Sequence, residues 1–253
     1  MNAQPHLLLL HGFPLDHSLW QPNMEALESV AHVLAPDLLA FETAEGVPAV
    51  LTMEHFADQL KEQLDAQGIQ RTVLCGLSMG GYVALAFLER WPERVAGLIL
   101  CNTRSTSDTE EAKQGREATA LDALTKGSAV IARAMTPKLL SEHTRSTFPE
   151  LANTVEAMIA RQRPEAIAAA SRGMALRPDR TAVLRGTDMP TLIITSENDA
   201  LMPLPTSQAM ADASAHSTLV VLPHAGHLSN MEAVEGFNKA VNDFIRALPE
   251  GKA

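Results

Sequence analysis

Six short apolar runs of strand length alternate along the chain with stretches whose apolar residues recur at helical spacing. The runs are residues 6–10, 32–36, 72–75, 95–101, 191–195 and 218–222. Such alternation leaves few folds open, because strands separated by helices pair in parallel and a parallel sheet needs helices over both faces. The chain is therefore read as an α/β protein built on a mostly parallel sheet of about six strands. At 253 residues and 46% hydrophobic it can bury the core that sheet requires within one domain.

The run 72–75 leads into Gly76-Leu77-Ser78-Met79-Gly80, which opens a helical stretch over 79–90. A strand, a sharp turn and a helix are the context in which G-x-S-x-G presents a serine, with Gly76 and Gly80 giving the turn steric clearance. A serine hydroxyl is a poor nucleophile near neutral pH. It needs a histidine base, a carboxylate to orient that base, and donors for a developing oxyanion. The run 191–195 ends at Ser196-Glu197-Asn198-Asp199, and the run 218–222 ends at Pro223-His224-Ala225-Gly226-His227. Asp199 and His227 are the expected acid and base, with Glu197 and His224 as the nearby alternatives.

Four segments together resemble the α/β-hydrolases of the esterase and enol-lactonase type, and the likeness runs along nearly the whole chain. They are His11-Gly12-Phe13-Pro14 after the first run, Gly76 to Gly81, Glu197-Asn198-Asp199 with Pro203, and Gly226-His227 before the last helix. The chain order Ser, acid, His is the order of that fold. The resemblance implies that Phe13 and Met79 donate backbone N–H groups to an oxyanion, Met79 from a helix N-terminus. It implies a hydrolase sheet lacking one edge, since family members carry an antiparallel hairpin before the His-Gly pair and only a few residues precede it here. Phe13-Pro14-Leu15 also resembles the stretch beside the oxyanion hole of cofactor-free haloperoxidases and perhydrolases.

Between Cys101 and Pro190 the strand signals fade. A helical cap is expected over 108–173, inserted between core segments 1–107 and 174–253, with a capping box at Ser107-x-x-Glu110 and breaks at Gly127, Pro137, Pro149 and Pro164. A second capping box, Ser229-x-x-Glu232, is expected to open the last helix. By the resemblance, the cap lies over the nucleophile and shapes the acyl pocket, for which Leu121, Leu124, Val130, Ile131, Met135, Met158, Ile159 and Met174 are the apolar candidates.

A net charge of −10 without clustered Lys and Arg excludes a nucleic-acid partner. Cys75 and Cys101 sit inside apolar runs and read as small buried hydrophobes. Residues 1–5 lack a basic stretch and residues 7–10 are too short an apolar run for a signal or membrane helix, so a cytoplasmic protein without membrane partners is expected, with homo-oligomerisation left open. No H-E-x-x-H, P-loop or G-x-G-x-x-G occurs, so neither metal nor cofactor is expected. His11 is expected to bond the local backbone, and His17 with Asp16 to reach the pocket mouth. The expected function is a serine hydrolase of carboxylesterase or lactonase type, cleaving a small, largely apolar ester through an acyl-enzyme. Perhydrolase or haloperoxidase chemistry and a non-catalytic ligand receptor on the same scaffold are the alternatives.

Overall fold

The computed structural model describes residues 4–40 and 46–249; residues 1–3, which enter the compartment reading, lie outside them. The six apolar runs form strands β1 (His6–Leu10), β2 (His32–Leu34), β3 (Thr72–Leu77), β4 (Val95–Cys101), β5 (Thr191–Ser196) and β6 (Ser217–Leu222). They make one sheet in the order β2-β1-β3-β4-β5-β6, and every pairing is parallel. β2 is shorter than expected, ending at Leu34 ahead of Ala35-Pro36, where a proline cannot donate to a ladder. β3 is longer, because Gly76 still pairs with Leu10 on one side and Leu100 on the other. β3 and β4, at the centre, are buried at every residue. Inside them the Cys75 and Cys101 sulfurs stand 3.9 Å apart as free thiols, and burial holds the Cys101 thiol well above its ordinary range.

The helices flanking the sheet are α1 (Met24–Glu28), α2 (Met53–Ala66) and α3 (Met79–Arg90) in the first half of the chain. Between β4 and β5 run α4 (Glu110–Lys126), α5 (Ser128–Leu139), α6 (Glu142–Thr147), α7 (Pro149–Ala160), α8 (Pro164–Leu176) and α9 (Thr181–Arg185). α10 (Leu204–Ala213), α11 (Ser229–Glu232) and α12 (Val234–Ala247) follow β5 and β6. α3 packs on β1, β3 and β4 with α2 against it, and α12 packs on β5 and β6 with Phe237, Val241 and Ile245 buried. In the long insertion α4 packs on α8 and α5 on α7. None of the described helices is long and apolar enough to cross a membrane.

Four local expectations give way to tertiary structure. α4 starts two residues late, with Thr109 as its cap accepting from the Ala112 N–H. Pro137 lies inside α5 and does not break it, whereas Pro149 and Pro164 each stand in a first helical turn where a missing N–H costs nothing. The expected capping box at Ser229 is not one. The helix breaks at Ala233, and Ser229 and Glu232 bond elsewhere. The expected boundary at residue 173 falls within α8, which continues to Leu176.

Candidate active site

The chemistry-bearing residues of the sequence lie just beyond the carboxyl ends of the strands, where open parallel sheets form their binding crevices. Phe13 follows β1, Ser78 follows β3, Asp199 follows β5 and His227 follows β6. Ser78 has φ 54° and ψ −112°, a conformation costing an L-residue on the order of 1–3 kcal/mol. The surroundings leave it little choice. Its N–H is held by the Cys101 carbonyl at 2.9 Å, and its own carbonyl accepts from Thr103 Oγ1 at 2.7 Å. A Cβ on Gly76 would stand 2.3 Å from the Gly80 carbonyl oxygen, and one on Gly80 2.0 Å from the Leu10 carbonyl oxygen. Only glycine lets the turn close this tightly.

His227 is buried, and its loop is pinned by the Leu139 carbonyl at the end of α5, which accepts from both the His227 and Leu228 amides at 3.0 and 3.2 Å. Its Nδ1 lies 2.9 and 3.1 Å from the two Asp199 oxygens, so the N–H sits on Nδ1 and Nε2 is the free nitrogen. Asp199 Oδ1 also accepts from the Leu201 and Met202 amides at 2.9 and 3.0 Å, and Oδ2 from Asn102 Nδ2 at 2.9 Å. Burial by itself would raise this carboxyl. The His227 ring, the Asn102 amide and the Met202 N–H outweigh that and hold it below the usual carboxylate range.

Ser78, His227 and Phe13 line one cavity of about 710 Å³, a size suited to a small organic molecule. The Met79 side chain is buried, and its backbone forms the first residue of α3. Of the expected apolar lining, Met135 and Met174 face the cavity. Leu121 and Leu124 instead point outward, 50% and 45% exposed, while Met158 and Ile159 are spent on helix packing. The alternatives to the acid and base are paired with each other at the surface. His224, whose side chain is 75% exposed, donates its backbone N–H to the Glu197 carboxylate at 3.1 Å and lies 3.8 Å from it through Nδ1. His11 is buried, its Nδ1 bonded to the Gly12 carbonyl and its Nε2 accepting from the Leu38 N–H, and burial lowers its pKa. His17 pairs with Asp37, and Asp16 caps its own turn and takes Arg161.

Asn102 was not anticipated. It follows β4 at φ 45°, a left-handed conformation that asparagine tolerates better than most residues. Its amide bridges Asp199 and Ser196, and its oxygen accepts from Ser229 Oγ at 2.5 Å. A polar residue just past a strand end was the available signal.

A serine on a strained turn, facing the cavity of a histidine held by a buried carboxylate at the carboxyl edge of a parallel sheet, defines a hydrolase-type site. The family model for the alpha/beta hydrolase fold matches residues 5–234, and the chain belongs to that family. A thermophilic esterase from Thermogutta terrifontis superposes with a TM-score of 0.93 and 40% identity, covering 98% of this chain and 92% of that one. A protein of Variovorax paradoxus named for carbamate hydrolysis is 30% identical over 94% of this chain and 91% of its own. The 3-oxoadipate enol-lactonase 1 of Acinetobacter baylyi is 25% identical, covering 96% and 90% respectively.

Proposed function

We propose that the enzyme hydrolyses small carboxylic esters or lactones, with Ser78 as nucleophile, His227 as general base and acid, and Asp199 as the group that orients His227. What carries the reading is that Ser78, at positive φ, and His227 line the same cavity while Asp199 occupies His227 Nδ1, leaving Nε2 to accept the serine proton. The names of its relatives, an esterase and an enol-lactonase, are consistent with it.

In the first step Ser78 Oγ attacks the carbonyl carbon as Nε2 takes its proton. The tetrahedral oxyanion rests on the backbone N–H groups of Phe13 and Met79, for which the loss of one donor typically costs about 2.7–4 kcal/mol. The alcohol departs with the proton from Nε2, leaving an acyl-enzyme. Water, deprotonated by the same nitrogen, then releases the acid and restores Ser78. Asp199 stabilises the imidazolium formed in each half-reaction. Helices α4 to α8 act as the cap that shields these charges from bulk water.

The test is hydrolysis of p-nitrophenyl esters and lactones of rising chain length by the native chain and by Ser78→Ala. A loss on the order of 10⁶ in kcat with an unchanged circular dichroism spectrum is expected. Full activity in the variant would remove Ser78 from the mechanism.

A further inference from the structure

The cavity that holds Ser78 is not the apolar pocket that the cap sequence suggested. Its lining includes Arg104, Arg116 and Lys138 against one carboxylate, Glu111, in a protein whose net charge is −10. Arg104 and Arg116 both reach Asp108, which also takes Arg177 Nη2 at 2.9 Å. One carboxylate thus faces three guanidinium groups, so the cluster keeps a surplus of two positive charges beside the cavity. The Arg177 guanidinium lies 4.0 Å over the centre of the Tyr82 ring, placing Tyr82 against the same cluster.

Tyr82 is an independent pointer. It lines the cavity and is only 2% exposed, yet its hydroxyl has no hydrogen-bond partner among the described residues. A buried hydroxyl without a partner is costly, and this one belongs to a residue in the cavity wall, where a small shift of the ring would let it donate to a ligand acceptor. Tyr82 stands four residues after Ser78 on α3, about 6 Å further along the helix axis.

We infer that Tyr82, Arg104 and Lys138 form a carboxylate-binding subsite, so that the substrate is a small ester bearing an anionic group a few bonds from its scissile carbonyl. This rests on the ester-hydrolase reading and narrows it. The guanidinium and ammonium groups supply charge, and the Tyr82 hydroxyl donates one directed bond. Arg116 adds to the local charge while tethering Asp108.

The matched probes are monomethyl glutarate and methyl pentanoate, which differ by a carboxylate in place of a methyl group. The kcat/KM ratio is expected to favour the hemiester at least about tenfold. Lys138→Gln and Tyr82→Phe are each expected to reduce the ratio by about three- to tenfold, as loss of a charge-assisted contact does. Tyr82→Phe removes a hydroxyl that no described residue bonds, so folding does not confound it. A ratio at or below one in the native chain, or unmoved by both variants, overturns the subsite. Calorimetric binding of both probes to Ser78→Ala separates the two readings. Preferential binding of the hemiester, weakened by adding Lys138→Gln, supports the subsite even where neither ester is turned over, a result that would defeat ester hydrolysis alone. Equal binding of the two defeats the subsite.

Discussion

Two buried aspartates, Asp199 and Asp108, are each held ionised below the usual carboxylate range, and by opposite means. Asp199 is surrounded by neutral donors, namely two backbone amides and the Asn102 side chain, and by one group able to become a cation, His227. Asp108 is surrounded by permanent cations, Arg104, Arg116 and Arg177. Burial would raise its carboxyl, but the Arg177 hydrogen bond and the Arg116 charge bring it down to about 2. The difference separates their work. In the proposed mechanism, a carboxylate satisfied by neutral donors keeps charge in reserve for an imidazolium that forms and vanishes in each turnover. One saturated by guanidinium groups is a fixed knot, joining the segment after β4 to α4 and to the chain after α8, and it leaves positive charge over for a ligand.

The sharpest way to break this contrast is to neutralise each acid in turn. Asp199→Asn should preserve the fold and lower kcat by about 10⁴, because an amide in that place favours the wrong histidine tautomer. A loss under tenfold, measured with a p-nitrophenyl ester, would mean that Asp199 does not orient the base. Asp108→Asn should do the reverse. It strands three guanidinium groups, and removing one partner of a buried pair costs about 3–5 kcal/mol. Arg104 and Arg116 keep some contact with solvent, so about 3 kcal/mol, or roughly 6–12 °C in Tm, is the expected loss. A smaller loss than that of Asp199→Asn in calorimetry would reverse the assignment of roles.

A finer probe tests whether neutral donors matter to Asp199. Asn102→Ala withdraws the Nδ2 bond to Oδ2 and leaves Ser229 Oγ without its acceptor. A hydrogen bond to a charged group is worth about 1.5–3 kcal/mol, so kcat should fall about 10- to 100-fold. The acidic limb of the kcat profile should shift with it. A change in Tm with no movement of that limb would make Asn102 purely structural.

Legibility in the sequence divides along the same line. The candidates Ser78, Asp199 and His227 stand out in the sequence because each is tied to a local pattern, an apolar strand followed by a turn with a residue of the expected type. The parallel sheet was readable for the same reason, since β1 and β4 coincide with their apolar runs. Asn102, Tyr82 and the Asp108 cluster depend on elements far apart in the chain meeting at one place. Asn102 reaches residues 94 and 97 positions away, and Arg177 reaches Asp108 across 69. Helical periodicity says which residues share a face and not which way that face turns, which is why Leu121 and Leu124 were expected in the pocket and stand at the surface. Ser229-x-x-Glu232 reads locally as a capping box. Its serine instead serves Asn102, and its glutamate receives the Ser141 N–H at 2.8 Å and the Leu228 N–H at 3.2 Å.

The smallest expected effect concerns acid stability. Asp108 and Asp16 both titrate near 2 in the folded chain against an ordinary 3.8; for Asp16, burial opposes the shift and the Arg161 and Ser18 bonds prevail. Asp199 is lowered as well. In each case the unfolded chain binds the proton more readily, so the stabilisation is present above the ordinary carboxylate range and is lost as pH falls below it, for Asp108 and Asp16 as pH falls towards 2. Each carboxyl contributes at most about 1.4 kcal/mol per pH unit across that window, and less where solvent screens it. Denaturant titrations at steps between pH 4 and 2 should therefore give a shallower slope for Asp108→Asn than for the native chain, with the remainder set by the other lowered carboxyls, Asp16, Asp199 and the Arg180-bound Glu54 among them. If the slope of Asp108→Asn equals the native slope, the three guanidinium groups do not lower the Asp108 pKa, and the two aspartates differ in partners alone.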